Sequence, residues 1–213
     1  VLVFNCNYHG SVDESQVEFD AQGQMIPRDG VHANGLQHQA TTRLVEFNDL
    51  PALEAALAHG DVAAVLTEPF MTNVGMVPPA PGFHDGLREL TRRYEVPLII
   101  DETHTLSCGP GGYCGEHGLQ PDFFVLGKSI AGGIPTAVWG ASQAMAERIW
   151  QVLPHFQPGQ AINHFGFGGT LAGNALQMAA MRATFSEVMN EASYAHMFLS
   201  LYTHLTLPTN REV

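Results

Sequence analysis

Apolar positions recur along the chain with two periods, one typical of helices and one of buried strands. Leu50, Leu53 and Leu57 lie at helical spacing within 48–58, where an N-cap precedes Leu50. The short apolar run 61–68 then predicts a buried strand. The same order repeats when a predicted helix over 81–94 precedes a strand over 96–101. The remaining predicted elements are strands over 1–4, 122–127 and 136–140 and a helix over 172–190.

This alternation of helices and strands predicts an α/β fold with a mostly parallel central sheet flanked by helices. In such sheets, ligands bind beyond the carboxyl ends of the strands. Three ionisable residues stand at these ends, namely Glu68, Asp101 and Lys128. Isolated buried charges are costly and are usually paired or used in chemistry. We therefore predict that the functional site lies at this edge of the sheet.

The composition fits one substantial domain and narrows the classes of partner. The chain has 213 residues, is 45% hydrophobic, and carries 21 acidic against 9 basic side chains, for a formal net charge of −12. That charge repels nucleic-acid phosphates and anionic lipid, so neither is an expected partner. The three cysteines fit neither a disulfide framework nor a zinc site. No segment has the pattern of a membrane span or a signal peptide, so we expect a cytoplasmic protein.

Both ends of the sequence look cut. It begins on Val-Leu-Val-Phe, a buried-strand run that ordinarily needs partner strands on both sides, so we expect a missing upstream part. Residues 200–213 follow a long helical pattern and have no clear period of their own. We therefore predict one domain over 1–199 and a tail of uncertain origin over 200–213.

Lys128 is the only lysine in the sequence, and it lies in a mostly apolar, glycine-rich stretch, 124–135. We expect it to be partly buried. Burial disfavours the charged ammonium and lowers its pKa, and an amine that can be neutral is what Schiff-base chemistry needs. The alternative is a structural lysine paired with an acidic side chain at a strand end.

Asp101 follows three apolar residues, so its carboxylate is expected at a strand end in a largely apolar surround. There it needs a cationic partner, and a protonated pyridine nitrogen is one such partner. An aspartate that caps the following turn is the common alternative. Because Lys128 also stands at a strand end, we favour the interpretation in which Asp101 faces the ring nitrogen of a cofactor.

Several motifs together resemble the signature of class III (subgroup II) pyridoxal 5′-phosphate (PLP) aminotransferases. The resemblance is greatest to the branch with glutamate-1-semialdehyde aminomutase and β-amino-acid transaminases. It implies the PLP-dependent transferase fold type I, of which the chain would form the large, PLP-binding domain. The matching motifs run in order from residue 1 to about residue 190. They are 7–10 (Asn-Tyr-His-Gly), 68–73 (Glu-Pro-Phe-Met-Thr-Asn), 100–105, 109–113, 118–122, 124–135 and 169–174 (Gly-Thr-Leu-Ala-Gly-Asn).

The resemblance implies a role for each motif. It places Tyr8 against the cofactor ring, Asn73 near the phenolic oxygen of the cofactor, and Thr170 at the cofactor phosphate across a homodimer interface. Thr103 would lie on the far face of the ring. His104 either packs on the cofactor or caps a turn. The catalytic residues are then Lys128 and Asp101, and the cofactor-binding residues are Tyr8, His9, Glu68, Asn73, Asp101, Thr103, His104, Lys128 and Thr170.

The sequence also departs from the family pattern. We expect the family's upstream phosphate loop and C-terminal small domain to be missing from this sequence, and Leu106-Ser-Cys108 stands where an arginine often binds a substrate carboxylate. The resemblance implies an aminotransferase that moves an amino group between an amino acid or amine and a keto acid or aldehyde. Two alternatives remain open, a glutamate-1-semialdehyde 2,1-aminomutase and an inactive dimerisation core.

Two other enzyme classes fit the sequence less well. A dinucleotide-binding fold needs Gly-x-Gly-x-x-Gly at the start of a helix after the first strand, and that motif is absent. The eleven histidines include no His-Glu-x-x-His motif, so we predict no metal site. The helix over 172–190 carries apolar residues that we interpret as core or dimer packing.

Overall fold

A computed structural model describes residues 1–31, 38–152 and 169–206 of the chain. Its centre is a six-stranded sheet in the order β4-β1-β5-β6-β7-β8, in which only β8 pairs antiparallel to its neighbour. Strands β2 and β3 form a separate antiparallel pair. The predicted α/β fold with a mostly parallel sheet is therefore confirmed. The strands are β1 Leu2–Phe4, β2 Val17–Phe19, β3 Met25–Pro27, β4 Arg43–Val45, β5 Val65–Thr67, β6 Leu98–Asp101, β7 Phe123–Leu126 and β8 Val138–Ala141.

Strand β1 is buried between two parallel neighbours. Leu2, Val3 and Phe4 are all fully buried. The strand pairs with β4 on one side and β5 on the other, so the predicted pairing on both sides is confirmed. Both partners come from later in the same chain.

Seven helices of the described residues accompany the strands. The predicted helix over 81–94 is observed as Phe83–Arg93, and the helix within 48–58 begins at Leu50 because Asp49 accepts a hydrogen bond from the Ala52 amide. Together with the sheet they give the α/β layering. The helices are α1 His38–Thr41, α2 Leu50–Leu57, α3 Phe83–Arg93, α4 Gly112–His117, α5 Gln143–Val152, α6 Ala175–Ala183 and α7 Glu191–Thr206.

The predicted helix over 172–190 differs from the structure at both ends. Helix α6 starts only at Ala175, where the Asn174 side chain accepts a hydrogen bond from the Gln177 amide. After Ala183 the chain continues as a π-helical turn over Thr184–Val188. Helix α7 crosses residue 200, so part of the predicted tail continues a helix, whereas 207–213 lies outside the described residues.

The main core lies between the sheet and helices α2 and α3. Phe4, Phe47 and Phe83 form an aromatic cluster with ring centroids 4.6 to 5.8 Å apart. The buried face of α3, with Leu87 and Leu90, continues this core. Strands β1, β5 and β6 all contribute side chains to this core, and polar groups described below follow these strands. Within the described residues, no helix is long and apolar enough to span a bilayer.

Candidate active site

A cavity of about 750 Å³ opens at the carboxyl edge of the sheet. Strands β5, β6 and β7 are neighbours, so the residues at their ends meet there. Glu68, Asp101 and Lys128 all line this cavity, as the position of each at a strand end predicts. Of the other predicted site residues, four line it as well: Tyr8, His9, Thr103 and His104.

Asp101 closes β6 and is bound by the turn that follows β1. His9 Nδ1 donates to Asp101 Oδ2 at 2.7 Å, and the Thr103 amide donates to Oδ1 at 3.0 Å. Burial raises the pKa of the Asp101 carboxyl, but these hydrogen bonds outweigh it, and the pKa lies below its ordinary value. Asp101 is therefore a fixed carboxylate in a mostly buried position. The other ring nitrogen of His9, Nε2, is buried and has no hydrogen-bond partner among the described residues.

Lys128 follows β7 and begins a short 3₁₀ turn, Lys128–Ala131. Its backbone has φ of +55°, in the left-handed region that non-glycine residues seldom adopt. Such strain often occurs at functional sites, where the surrounding structure imposes it. The expected partial burial is wrong, since the residue is exposed at the cavity.

Glu68 follows β5 and is the buried centre of a hydrogen-bond cluster whose other members are partly or fully exposed. The residue is only 3% exposed. Its Oε1 accepts from Asn73 Nδ2 at 3.0 Å, and its Oε2 accepts from the Thr72 hydroxyl. Asn73 is thus bound to Glu68 and does not line the cavity. Thr72, which was not predicted as a site residue, also contacts His104.

Thr170 lies apart from the other predicted site residues. It is exposed in the turn that precedes α6 and does not line the cavity. The predicted contact with a cofactor phosphate would have to come across an interface between two copies. That role therefore stays a prediction.

Glu102, next to Asp101, was also missed by the sequence analysis. Its buried carboxylate accepts from the backbone amides of Cys114 at 2.6 Å and Tyr113 at 3.1 Å, and from the Thr105 hydroxyl. Burial, together with a hydrogen bond to this carboxylate, raises the pKa of the Cys114 thiol far above its usual range. Glu102 therefore binds the start of α4 to the end of β6 and has a structural role.

The described residues contain no cluster of His, Cys, Asp and Glu that could hold a metal ion. The site consists instead of one amine, two carboxylates and two imidazoles around an open cavity. Such a set can form a covalent bond through an amine, hold a cationic ring nitrogen, and transfer protons.

Comparison with known proteins identifies the family. Residues 1–200 match the model of the class-III aminotransferases, and the chain belongs to this family. A curated relative, glutamate-1-semialdehyde 2,1-aminomutase of Anaeromyxobacter sp. strain K, is 34% identical over 200 residues, which is 91% of this chain and 43% of the relative. The chain thus spans less than half the length of the curated relatives it matches.

Solved structures agree with this assignment. The chain is 81% identical, with a TM-score of 0.92, to a lysine-to-alanine variant of a glutamate-1-semialdehyde-aminomutase from Pseudomonas aeruginosa PAO1 in complex with PMP. The match covers 95% of this chain and 45% of that one. An omega-transaminase from Sphaerobacter thermophilus is 27% identical, with a TM-score of 0.75, over 90% of this chain and 44% of that one. The resemblance inferred from the sequence motifs is confirmed.

Proposed function

We propose that the protein is a PLP-dependent aminotransferase, with Lys128 as the residue that binds the cofactor covalently. The observation that carries the proposal is the meeting of Lys128, Asp101 and Glu68 at one cavity, each from the end of a different strand. The substrates would be an amino acid or amine as donor and a keto acid or aldehyde as acceptor. The family match and the PMP complex of the Pseudomonas relative support the cofactor.

The residues present fit PLP. Asp101 is a carboxylate held by two hydrogen bonds and exposed to the cavity, which suits a cationic ring nitrogen. Lys128 is the only side-chain amine in the sequence and lines the same cavity. Tyr8 and Thr103 line it too, and in the proposal they contact the faces of the ring. When bound, PLP supplies an electron sink for the carbanion formed at the substrate Cα.

The chain's own residues would bind, orient and move protons. Asp101 stays ionised at neutral pH because hydrogen bonds hold its pKa low, and His9 fixes the direction in which its carboxylate points. Lys128 Nζ would accept the proton of the substrate Cα and return it, as general base and then general acid. Glu68, with Asn73 bound to its carboxylate, would orient the cofactor from the turn after β5, and His104 would do so from the turn after β6. The protein would work as a cytoplasmic homodimer in which Thr170 reaches the neighbouring site.

A second candidate is an intramolecular amino transfer. The Pseudomonas and Anaeromyxobacter relatives are both named as glutamate-1-semialdehyde aminomutases. Such a reaction would need the same lysine, aspartate and cofactor, so the site supports both outcomes. Product analysis would separate them: an aminomutase converts glutamate 1-semialdehyde to 5-aminolevulinate without an external amino acceptor. A transaminase produces a new amine only when an acceptor is present.

Borohydride reduction in the presence of PLP tests the cofactor assignment. We expect a visible-edge absorbance band on adding PLP, and reduction should attach the cofactor to the peptide that contains Lys128. Mass spectrometry of the digest identifies that peptide, and Lys128→Ala should lack both the band and the label. Labelling of the N-terminal amine alone, or none at all in a protein that is folded by circular dichroism, would disprove the assignment.

A further inference from the structure

Glu68, Thr72 and His104 form a chain of hydrogen bonds on one wall of the cavity. The Thr72 hydroxyl bonds Glu68 Oε2 and also lies 2.5 Å from Nδ1 of His104. Glu68 Oε2 is itself 3.7 Å from that nitrogen. Asn73 Nδ2 donates a hydrogen bond to the other carboxylate oxygen, Glu68 Oε1, at 3.0 Å. The single hydroxyl proton of Thr72 therefore has two neighbours to which it could be donated.

The chemistry of the three groups decides the direction of these hydrogen bonds. A carboxylate can only accept, so the Thr72 proton is donated to Glu68. Thr72 Oγ1, which also accepts from Asn73 Nδ2 at 3.4 Å, can then only act as an acceptor towards His104, so Nδ1 of His104 must carry a proton. A neutral imidazole has one protonated nitrogen and one acceptor nitrogen. Nε2 is thus the acceptor, on a ring that lines the cavity.

We propose that Glu68 and Thr72 are positioning residues that hold His104 as its Nδ1–H tautomer and present Nε2 to the cavity as a hydrogen-bond acceptor. The inference rests on the proposed function in treating the cavity as a ligand site. An acceptor on this wall favours a ligand group that donates a hydrogen bond, such as a hydroxyl or an ammonium, over a carboxylate.

The charges around the cavity agree with this preference. Glu68 is the buried charge nearest to His104, and Asp101 lines the same cavity. Among the described residues that line the cavity, there is no arginine, and Lys128 is reserved for the cofactor in the proposed function. A ligand carboxylate beside His104 would therefore meet an acceptor nitrogen and a nearby negative charge.

The tautomer of His104 can be read directly by long-range ¹H–¹⁵N NMR of the ¹⁵N-histidine-labelled protein, at a pH where the ring is neutral. The spectrum of His104→Gln assigns the signal. We expect the Nδ1–H form to predominate in the wild type and in Thr72→Ser, which keeps the hydroxyl. Thr72→Val should lose this preference. Glu68→Gln should raise the fraction of the Nε2–H form, because a carboxamide can donate to Thr72 and free its hydroxyl proton for His104.

A predominant Nε2–H tautomer in the wild type would overturn the proposal, and so would an unchanged tautomer in both Thr72→Val and Glu68→Gln. Thermal unfolding of each variant shows which ones are folded. Even if a variant is unfolded, the wild-type spectrum decides which nitrogen of His104 carries the proton. The measurement needs no turnover and no bound cofactor. Failure to bind PLP would thus contradict the proposed function alone, and the tautomer result would stand separately.

Discussion

Two aspartates at opposite edges of the sheet show what separates a structural carboxylate from a functional one. Asp122 lies before β7 at the amino edge, where Arg88 binds it through two hydrogen bonds of 2.7 and 3.0 Å and the Leu98 amide donates at 2.8 Å. Asp101 ends β6 at the carboxyl edge, with His9 and a backbone amide as partners. Hydrogen bonds lower the pKa of both carboxyls against the opposing effect of burial.

The difference lies in the permanent charge of the partner. Arg88 is always cationic, so the Asp122 charge is neutralised within the fold and no further ligand is needed. Asp101 has no arginine or lysine as an ion-pair partner in the described structure and faces a cavity. The carboxylate at the amino edge therefore contributes to stability, and the one at the carboxyl edge keeps its charge available for a bound cation.

The largest expected effect belongs to Lys128→Ala, which removes the only side-chain amine at the carboxyl edge. Loss of a general acid and base lowers the rate by about 10²- to 10⁴-fold, and loss of covalent attachment adds to this. Because Lys128 is exposed, its replacement should change the free energy of unfolding by only about 0.5 kcal/mol. Steady-state kinetics measures the loss of rate, and urea unfolding measures the change in free energy. A variant that is as active as the wild type would contradict the assignment.

Asp122→Asn should instead damage the fold. Removing one charge of a largely buried pair leaves Arg88 without its counter-ion and typically costs about 3 to 5 kcal/mol. Urea unfolding measures the loss, and activity per folded molecule should change little. If Asp122→Asn were as stable as the wild type but inactive, the contrast between the two edges would be wrong.

Asp101→Asn should give the opposite result. The amide keeps the shape of the side chain but loses the charge that we propose faces a ring nitrogen. Misplaced or missing electrostatic groups in active sites cost about 10²- to 10³-fold in rate. We expect such a loss in kcat, together with a free energy of unfolding close to that of the wild type. Asp101→Glu is the control, because it restores the charge with altered reach and should recover part of the activity.

Acid titration provides a smaller test of the same contrast. The folded-state pKa of both aspartates lies below the unfolded value of about 3.9, so their contribution to stability is full above about pH 5 and is lost as pH falls through the folded pKa. The slope of unfolding free energy against pH below about pH 4 should therefore be shallower in Asp122→Asn than in the wild type. An equal slope would mean that Asp122 is not ion-paired in solution.

The sequence predicted the carboxyl edge well because its signal is local. An apolar run that ends in Glu68, Asp101 or Lys128 specifies a strand and its end, and adjacency of the three strands follows from the parallel α/β pattern. The family motifs added Tyr8 and His9 to the predicted site, and these residues lie in the turn that follows β1.

What the sequence could not predict depends on contacts between turns. The role of Thr72 requires the turn after β5 to lie against the turn after β6. The spacing of apolar residues along the chain does not predict how close these two turns lie. The exposure of Lys128 is decided by what covers the strand end, which is again a tertiary property. Glu102 had no signal beyond its place next to Asp101, because the backbone amides that bind it lie eleven and twelve residues away.

The smallest expected effect concerns Asn174, which lies four residues after Thr170 and caps α6. Its side chain accepts from the Gln177 amide at 3.0 Å and satisfies one of the free donors at the helix start. Asn174→Ala should cost about 1 kcal/mol in the free energy of unfolding, whereas Asn174→Ser or Asn174→Asp should keep most of it. If Thr170 binds across a dimer interface, Asn174→Ala should also weaken PLP binding slightly, because the turn that carries Thr170 is held by this cap. Equal PLP affinity in a destabilised Asn174→Ala protein would separate the cap from the cofactor site and limit its role to the helix.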